Sequence, residues 1–111
     1  MRDIEFLKRR AKNYELIAEY VNKDTLKIYS PKFYFDSWLI IETETEIELW
    51  HQSKKCGIKN ISYHLQKAMP KHKKIWALQT IKSHNRYIAL RKNKVNIVDR
   101  LLSNEKRFSI T

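Results

Sequence analysis

Lysine, arginine and histidine are the side chains in this sequence best suited to chemistry, and they are concentrated in one stretch. The fifty positions from Leu49 to Val98 hold twelve lysines and arginines, all four histidines and no aspartate or glutamate. A surface of that kind attracts a polyanion, and nucleic acid is the commonest polyanion inside a cell. Lys and Arg reach phosphates, while Gln, Asn and Arg also read base edges. The expected nucleic-acid-binding residues are Lys54, Lys55, Lys59, Tyr63, Gln66, Lys67, Lys71, Lys73, Lys74, Lys82, His84, Asn85, Arg86, Arg91 and Lys92. Among the aromatics, Trp50, Trp76 and Tyr87 sit in or beside the basic stretch and are candidates for stacking on unpaired bases. Trp38, Phe33 and Phe35 read as core.

Two other constellations could carry chemistry. His64, His72, His84, Arg86 and Tyr87 are the residue types of a metal-free ribonuclease, which needs an acid, a base and a phosphate clamp. Their spacing demands no site, and the four histidines, His51 included, form no H-x-x-x-H metal pattern. No catalytic residue, metal ligand or cofactor is therefore assigned. Glu42, Glu44, Glu46 and Glu48 alternate with Thr43, Thr45 and Ile47, which places all four on one strand face if the strand is continuous. Such a row could hold a divalent ion, but like charges spaced along one face are more often solvated. Gly-rich phosphate loops and nucleophile elbows are missing from the sequence.

The elements that must position these residues are read from periodicity. Ile4, Leu7, Ala11, Tyr14, Ala18 and Val21 recur at helical spacing and predict an amphipathic helix over 4–21, capped by Asp3. Its narrow seam would pack on a sheet or pair with a second copy, giving a possible homodimer. Residues 26–29 predict a short strand closed by Ser30-Pro31, and 37–42 with 46–52 predict a hairpin. Ile58, Ile61, Leu65 and Ala68/Met69 predict a middle helix over 57–69, stopped by Pro70. Residues 75–82 and 86–92 read as a second hairpin with Ser83-His84-Asn85 at its tip, and 93–104 as a C-terminal helix before a frayed tail over 105–111. The expected fold is one α+β domain: a mainly antiparallel sheet of about five strands with an N-terminal, a middle and a C-terminal helix.

A helix followed by a basic hairpin over 57–92 resembles, in order alone, the recognition helix and wing of winged-helix DNA-binding domains. That family has another helix just before the recognition helix, where residues 46–56 here read as strand and turn. The chain is not placed in the family.

Composition sets the remaining bounds. A chain of 111 residues with 42% hydrophobic and 12% aromatic content has the size and apolar content of one folded domain, not of a disordered tail. Net charge is +11 and is uneven along the chain. The single cysteine, Cys56, excludes an internal disulfide and fits a reducing compartment. No apolar run approaches the roughly 18 residues of a membrane span, and no leader-like apolar region follows Met1, so a soluble cytoplasmic protein is expected. Abundant Lys, Ile and Asn with one Gly is compatible with an AT-rich bacterial or mobile-element genome. The functional expectation is a small nucleic-acid-binding regulator or accessory factor without enzymatic activity, DNA slightly favoured, binding phosphates through 57–69 and 75–92. The alternatives are an interaction module for an acidic protein and a metal-independent ribonuclease or toxin.

Overall fold

A computed structural model describes residues 2–53 and 62–91 of the chain. The order is helix α1 (Asp3–Ala11), strands β1 (Ile17–Asn22), β2 (Thr25–Tyr29), β3 (Trp38–Glu42), β4 (Glu46–Gln52) and β5 (Tyr63–Pro70), then helix α2 over residues 75–91. Each strand pairs antiparallel with the next, so the sheet is a five-stranded meander in sequence order. The β3–β4 turn closes on Thr43. Its N–H donates to the Glu46 carbonyl at 3.0 Å, and its hydroxyl oxygen accepts from the Glu46 N–H at 3.0 Å. A threonine side chain thus stands in for glycine turn chemistry, which the chain lacks here.

Alternation of side chains sends Leu26, Ile28, Trp38, Ile40, Ile47, Leu49 and Met69 to one face of the sheet. Both helices lie on that face. Ile4, Leu7 and Ala11 of α1 and Ala77, Leu78 and Ile81 of α2 join the same buried cluster. Burying each large aliphatic side chain is worth roughly 1.5–3 kcal/mol, so this one layer supplies most of the driving force for folding. Among the described residues the result is a single domain with one core. The opposite sheet face carries Glu19, Lys27, Leu39, Ile41, Glu48, Trp50 and Leu65, as the strand register requires.

The strands at 25–29, 38–42 and 46–52 and the antiparallel sheet agree with the sequence reading. Three other elements differ. The helix expected over 4–21 ends at Ala11. A 3-10 turn at Lys12–Tyr14 leads to Glu15, which adopts a left-handed conformation (φ 60°), and the chain reverses into β1. Ile17, Tyr20 and Val21 favour a strand, and the helical spacing of Ala18 and Val21 is coincidental. The seam Ile4, Leu7 and Ala11 is buried within the protomer, which removes the helical face proposed for a homodimer.

The middle helix expected over 57–69 is not formed in its described part: residues 63–70 are the edge strand β5. An edge strand tolerates a polar, exposed sequence and a terminal proline, and Leu65 and Ala68 of the expected apolar stripe are exposed. The hairpin expected over 75–92 is helix α2 throughout its described residues. Ala77, Leu78, Ile81, Asn85 and Ile88 form its inward stripe, and Ser83-His84-Asn85 without a glycine does not enforce a turn. The C-terminal helix expected over 93–104 and the tail over 105–111 lie outside the described residues.

Candidate functional site

The helical layer concentrates positive charge. Residues 71–91 carry Lys71, Lys73, Lys74, Lys82, Arg86 and Arg91 and no acid. Because α2 buries its apolar stripe against the sheet, Lys82, Arg86 and Arg91 are left exposed. α1 adds exposed Lys8, Arg9 and Arg10 to the same layer, and the 3-10 turn after it adds exposed Lys12. Sequence reasoning missed that contribution because acids surround those residues along the chain. The signal was present in the basic last turn of α1, where cations also suit the negative end of the helix dipole.

The two helical segments are joined by cations lying on rings. Lys74 Nζ sits 4.5 Å from the Phe6 ring and 2.5 Å from Asp3 Oδ1, tying α2 to α1. Lys82 Nζ lies 6.0 Å from the Tyr14 ring. Beside Lys82, between α2 and the segments around Tyr14–Leu16 and Ser30–Phe33, opens a cleft of about 130 Å³, lined by Tyr14, Glu15, Lys32, Lys82, Asn85 and Arg86 among others. Asn85 Oδ1 is buried there, with no hydrogen-bond partner among the described residues. Three cations against one carboxylate make the cleft attractive to an anion.

Trp76 heads α2 and remains 40% exposed. Lys67 Nζ from β5 lies 5.0 Å from its ring centroid, and Lys73 Nζ from the preceding 3-10 turn lies 4.4 Å away. Tyr87 is exposed on the same helix at 61%. Trp50 instead lies on the opposite sheet face, half-buried, with its indole N–H donating to Glu48 Oε1 at 3.2 Å. Phe35, expected in the core, is exposed, whereas Trp38 is buried.

The other expected site residues are dispersed. Tyr63 is held inside, its hydroxyl 2.8 Å from Ser37 Oγ. Gln66 is exposed at the β-bulge opposite Leu49 and Trp50. Lys71 is half-buried in the 3-10 turn beside Lys73. Lys54, Lys55, Lys59 and Lys92 lie outside the described residues. The five residues considered for ribonuclease chemistry do not converge. His64 is exposed on β5 and His72 in the turn, while α2 directs His84 inward and Arg86 and Tyr87 outward. The glutamate row also divides. Glu42 turns to the helical side and accepts hydrogen bonds from Ile4 N–H at 2.8 Å and from Arg2 at 3.1 Å, while Glu48 pairs with Ile41 on the other face.

One cluster was not legible from spacing. Asp36 precedes β3, His51 is the penultimate residue of β4 and His84 lies on α2. His51 Nε2 is 2.8 Å from Asp36 Oδ1, and His84 Nε2 is 3.2 Å from Asp36 Oδ2. The His51 ring stacks on Trp38 at 3.8 Å, and His84 meets both rings edge-on at 5.2 and 4.7 Å. A polar network behind the cluster holds the strand ends. Ser37 N–H and Oγ–H both donate to Gln52 Oε1, at 3.0 and 2.8 Å, and Gln52 N–H donates to the Ser37 carbonyl at 3.1 Å.

At the far end of α1, Arg2 pairs with Asp24 and Glu42. The hydrogen bond from Arg2 holds the Asp24 carboxyl below its usual range, and bonds to both acids raise the Arg2 guanidinium. A hydrogen bond to Glu19 raises the Tyr29 phenol. No protein-family model, curated protein or solved structure matches this chain. Among the described residues, no helix is long and apolar enough to cross a membrane.

Proposed function

We propose that this protein binds nucleic acid through its helical layer, without turnover, as a regulator or accessory factor. The observation that carries the reading is Trp76, an exposed indole with Lys67 and Lys73 both within 5.0 Å of its ring. An aromatic platform flanked by ammonium groups suits a strand whose base stacks while its phosphates meet cations. The acid-free run 71–91 extends that chemistry along α2 through Lys82, Arg86 and Arg91. Glutamates on the opposite sheet face repel a polyanion from the wrong side, which orients the encounter.

The test is fluorescence anisotropy with labelled oligonucleotides, DNA and RNA, single- and double-stranded, across a salt series. Binding falls with a log–log slope of about −0.7 per neutralised phosphate for single strands and about −0.9 for duplex DNA. Tryptophan fluorescence is quenched on binding and the quench is lost in Trp76→Ala. A salt-independent signal, or no binding at low salt, refutes the reading. Saturable capture by an acidic polypeptide with no nucleic-acid binding favours the interaction module instead.

A further inference from the structure

Asp36, His51 and His84 come from three separate elements, yet one donor atom from each lies within 4.8 Å of the others. We propose that these three residues bind a divalent transition-metal ion, with zinc as the reference ion, and that the ion clamps α2 to the sheet. This proposal is independent of nucleic-acid binding.

The donor set comes first. Two neutral imidazoles and one carboxylate form a borderline site suited to zinc, cobalt or nickel. Magnesium and calcium favour all-oxygen shells, so they fit poorly. The geometry is close to what such an ion requires. Donors at zinc bond lengths are about 3.3 Å apart at tetrahedral angles. The carboxylate oxygens here are 2.8 and 3.2 Å from the two Nε2 atoms. Both distances lie within about 0.5 Å of that separation, and all three donor atoms lie within 4.8 Å of one another.

The surroundings favour it as well. Asp36 Oδ2 is buried with no hydrogen-bond donor among the described residues, although it lies 3.2 Å from His84 Nε2. A carboxylate oxygen this buried requires positive charge beside it, which a bound ion supplies while His84 acts as a neutral ligand. The parallel stack on Trp38, 11° from coplanar, limits rotation of the His51 ring. A backbone bond from Asp36 N–H to the Phe33 carbonyl, at 3.0 Å, fixes the start of β3. The ligands are thus supported by neighbours that do not themselves coordinate, as metal sites require. His84 is the most exposed of the three, with 29% of its side chain accessible, and marks the entry path. With three protein donors, the ion keeps a position for water.

The experiment uses the full chain, stripped of metal with a chelator and titrated with zinc by calorimetry and with cobalt by visible absorption. One equivalent of zinc binds saturably at micromolar affinity or tighter and raises the melting temperature. Cobalt gives ligand-field bands typical of low coordination number. Asp36→Asn, His51→Gln and His84→Gln each weaken zinc about tenfold or more. His72→Gln, on an exposed turn, binds as the wild type does. Circular dichroism establishes that each variant is folded. Long-range proton–nitrogen NMR of the wild type gives a readout that needs no variant: zinc shifts the His51 and His84 imidazoles and leaves His72 in place. Absence of saturable binding by the wild type overturns the proposal. So does zinc binding that survives loss of Asp36 or His84, or imidazole shifts confined to His64 and His72.

Discussion

The indole of Trp38 lies flat on the imidazole of His51, with ring centroids 3.8 Å apart and planes 11° from parallel. The two residues are direct cross-strand partners in the β3–β4 hairpin, and both face the helices. Core packing and the polar cluster therefore share one side chain. Trp38→Ala removes a fully buried ring and is expected to cost about 3–5 kcal/mol in urea denaturation. Trp38→Phe is expected to cost less than about 2 kcal/mol, because the indole N–H is buried without a partner among the described residues. In Trp38→Ala the His51 ring protons lose the ring-current shift of the stacked indole, which NMR reads directly. Unchanged His51 shifts would show that the rings do not stack.

Glu42 serves α1 from a distance. Arg2 precedes the helix and its side chain caps no backbone N–H, so Glu42 supplies the acceptor for Ile4 N–H across 38 residues of sequence. A carboxylate at this end also complements the helix dipole. Glu42→Gln keeps an acceptor and loses the charge, and is expected to cost about 0.5–1 kcal/mol. Glu42→Ala leaves a helix donor without its partner and is expected to cost about 1–3 kcal/mol. Equal costs for the two variants would mean that the contact is purely ionic.

The β3–β4 hairpin was legible because its apolar alternation and its polar turn agree. Its register alone, with Glu42 opposite Ile47, already sets Trp38 opposite His51 and brings His51 near Asp36. The third member of the cluster was beyond reach, because His84 arrives only when α2 docks. That helix was obscured by its own buried polar residues. Asn85 interrupts an apolar stripe that otherwise runs Ala77, Leu78, Ile81 and Ile88 at helical spacing, and with Ser83 and His84 it imitates a turn. In the N-terminal segment the error ran the other way. Ala18 and Val21 extended a true helical stripe past Glu15, whose left-handed backbone nothing in the residue type announces. Long-range packing decided both segments, and periodicity sees only local order.

The pair of Arg2 and Asp24 gives a pH dependence whose sign follows from its cause. The Arg2 hydrogen bond, with smaller attractions from Arg2 and Lys23, outweighs desolvation and holds Asp24 below the ordinary value of 3.8. A depressed carboxylate contributes stability that is present above its unfolded value and is lost as pH falls through the folded one. The window is therefore below about pH 4, and the effect is small because both side chains are substantially exposed. Carboxyl NMR titration should place Asp24 below the ordinary aspartate range, and Arg2→Gln should return it toward that range. A titration unchanged by Arg2→Gln would exclude the pairing as cause.

For nucleic acid, platform and cations are separable in the same titration. Trp76→Ala is expected to weaken single-strand binding by about 1–3 kcal/mol while leaving the salt slope nearly unchanged, because stacking releases no counterion. Lys67→Gln or Lys73→Gln is expected to weaken binding uniformly across sequences and to flatten the slope by about one phosphate each. If Trp76→Ala changes the slope and the lysine variants do not, the assignment of roles is wrong.

Ser83 distinguishes a helix from a hairpin over 75–91. It is exposed near the middle of α2, so its side chain contributes little packing. A proline there removes the backbone bond to Gln79 and clashes with that carbonyl, and Ser83→Pro is expected to cost about 3 kcal/mol or more, with loss of helical circular dichroism. Ser83→Ala gains helix propensity and is expected to stabilise by up to about 0.5 kcal/mol. At a hairpin tip these preferences would reverse, since proline and serine suit turns better than alanine does. A tolerated proline with a destabilising alanine would restore the hairpin. It would also separate His84 from Asp36 and remove the geometry on which the metal site depends.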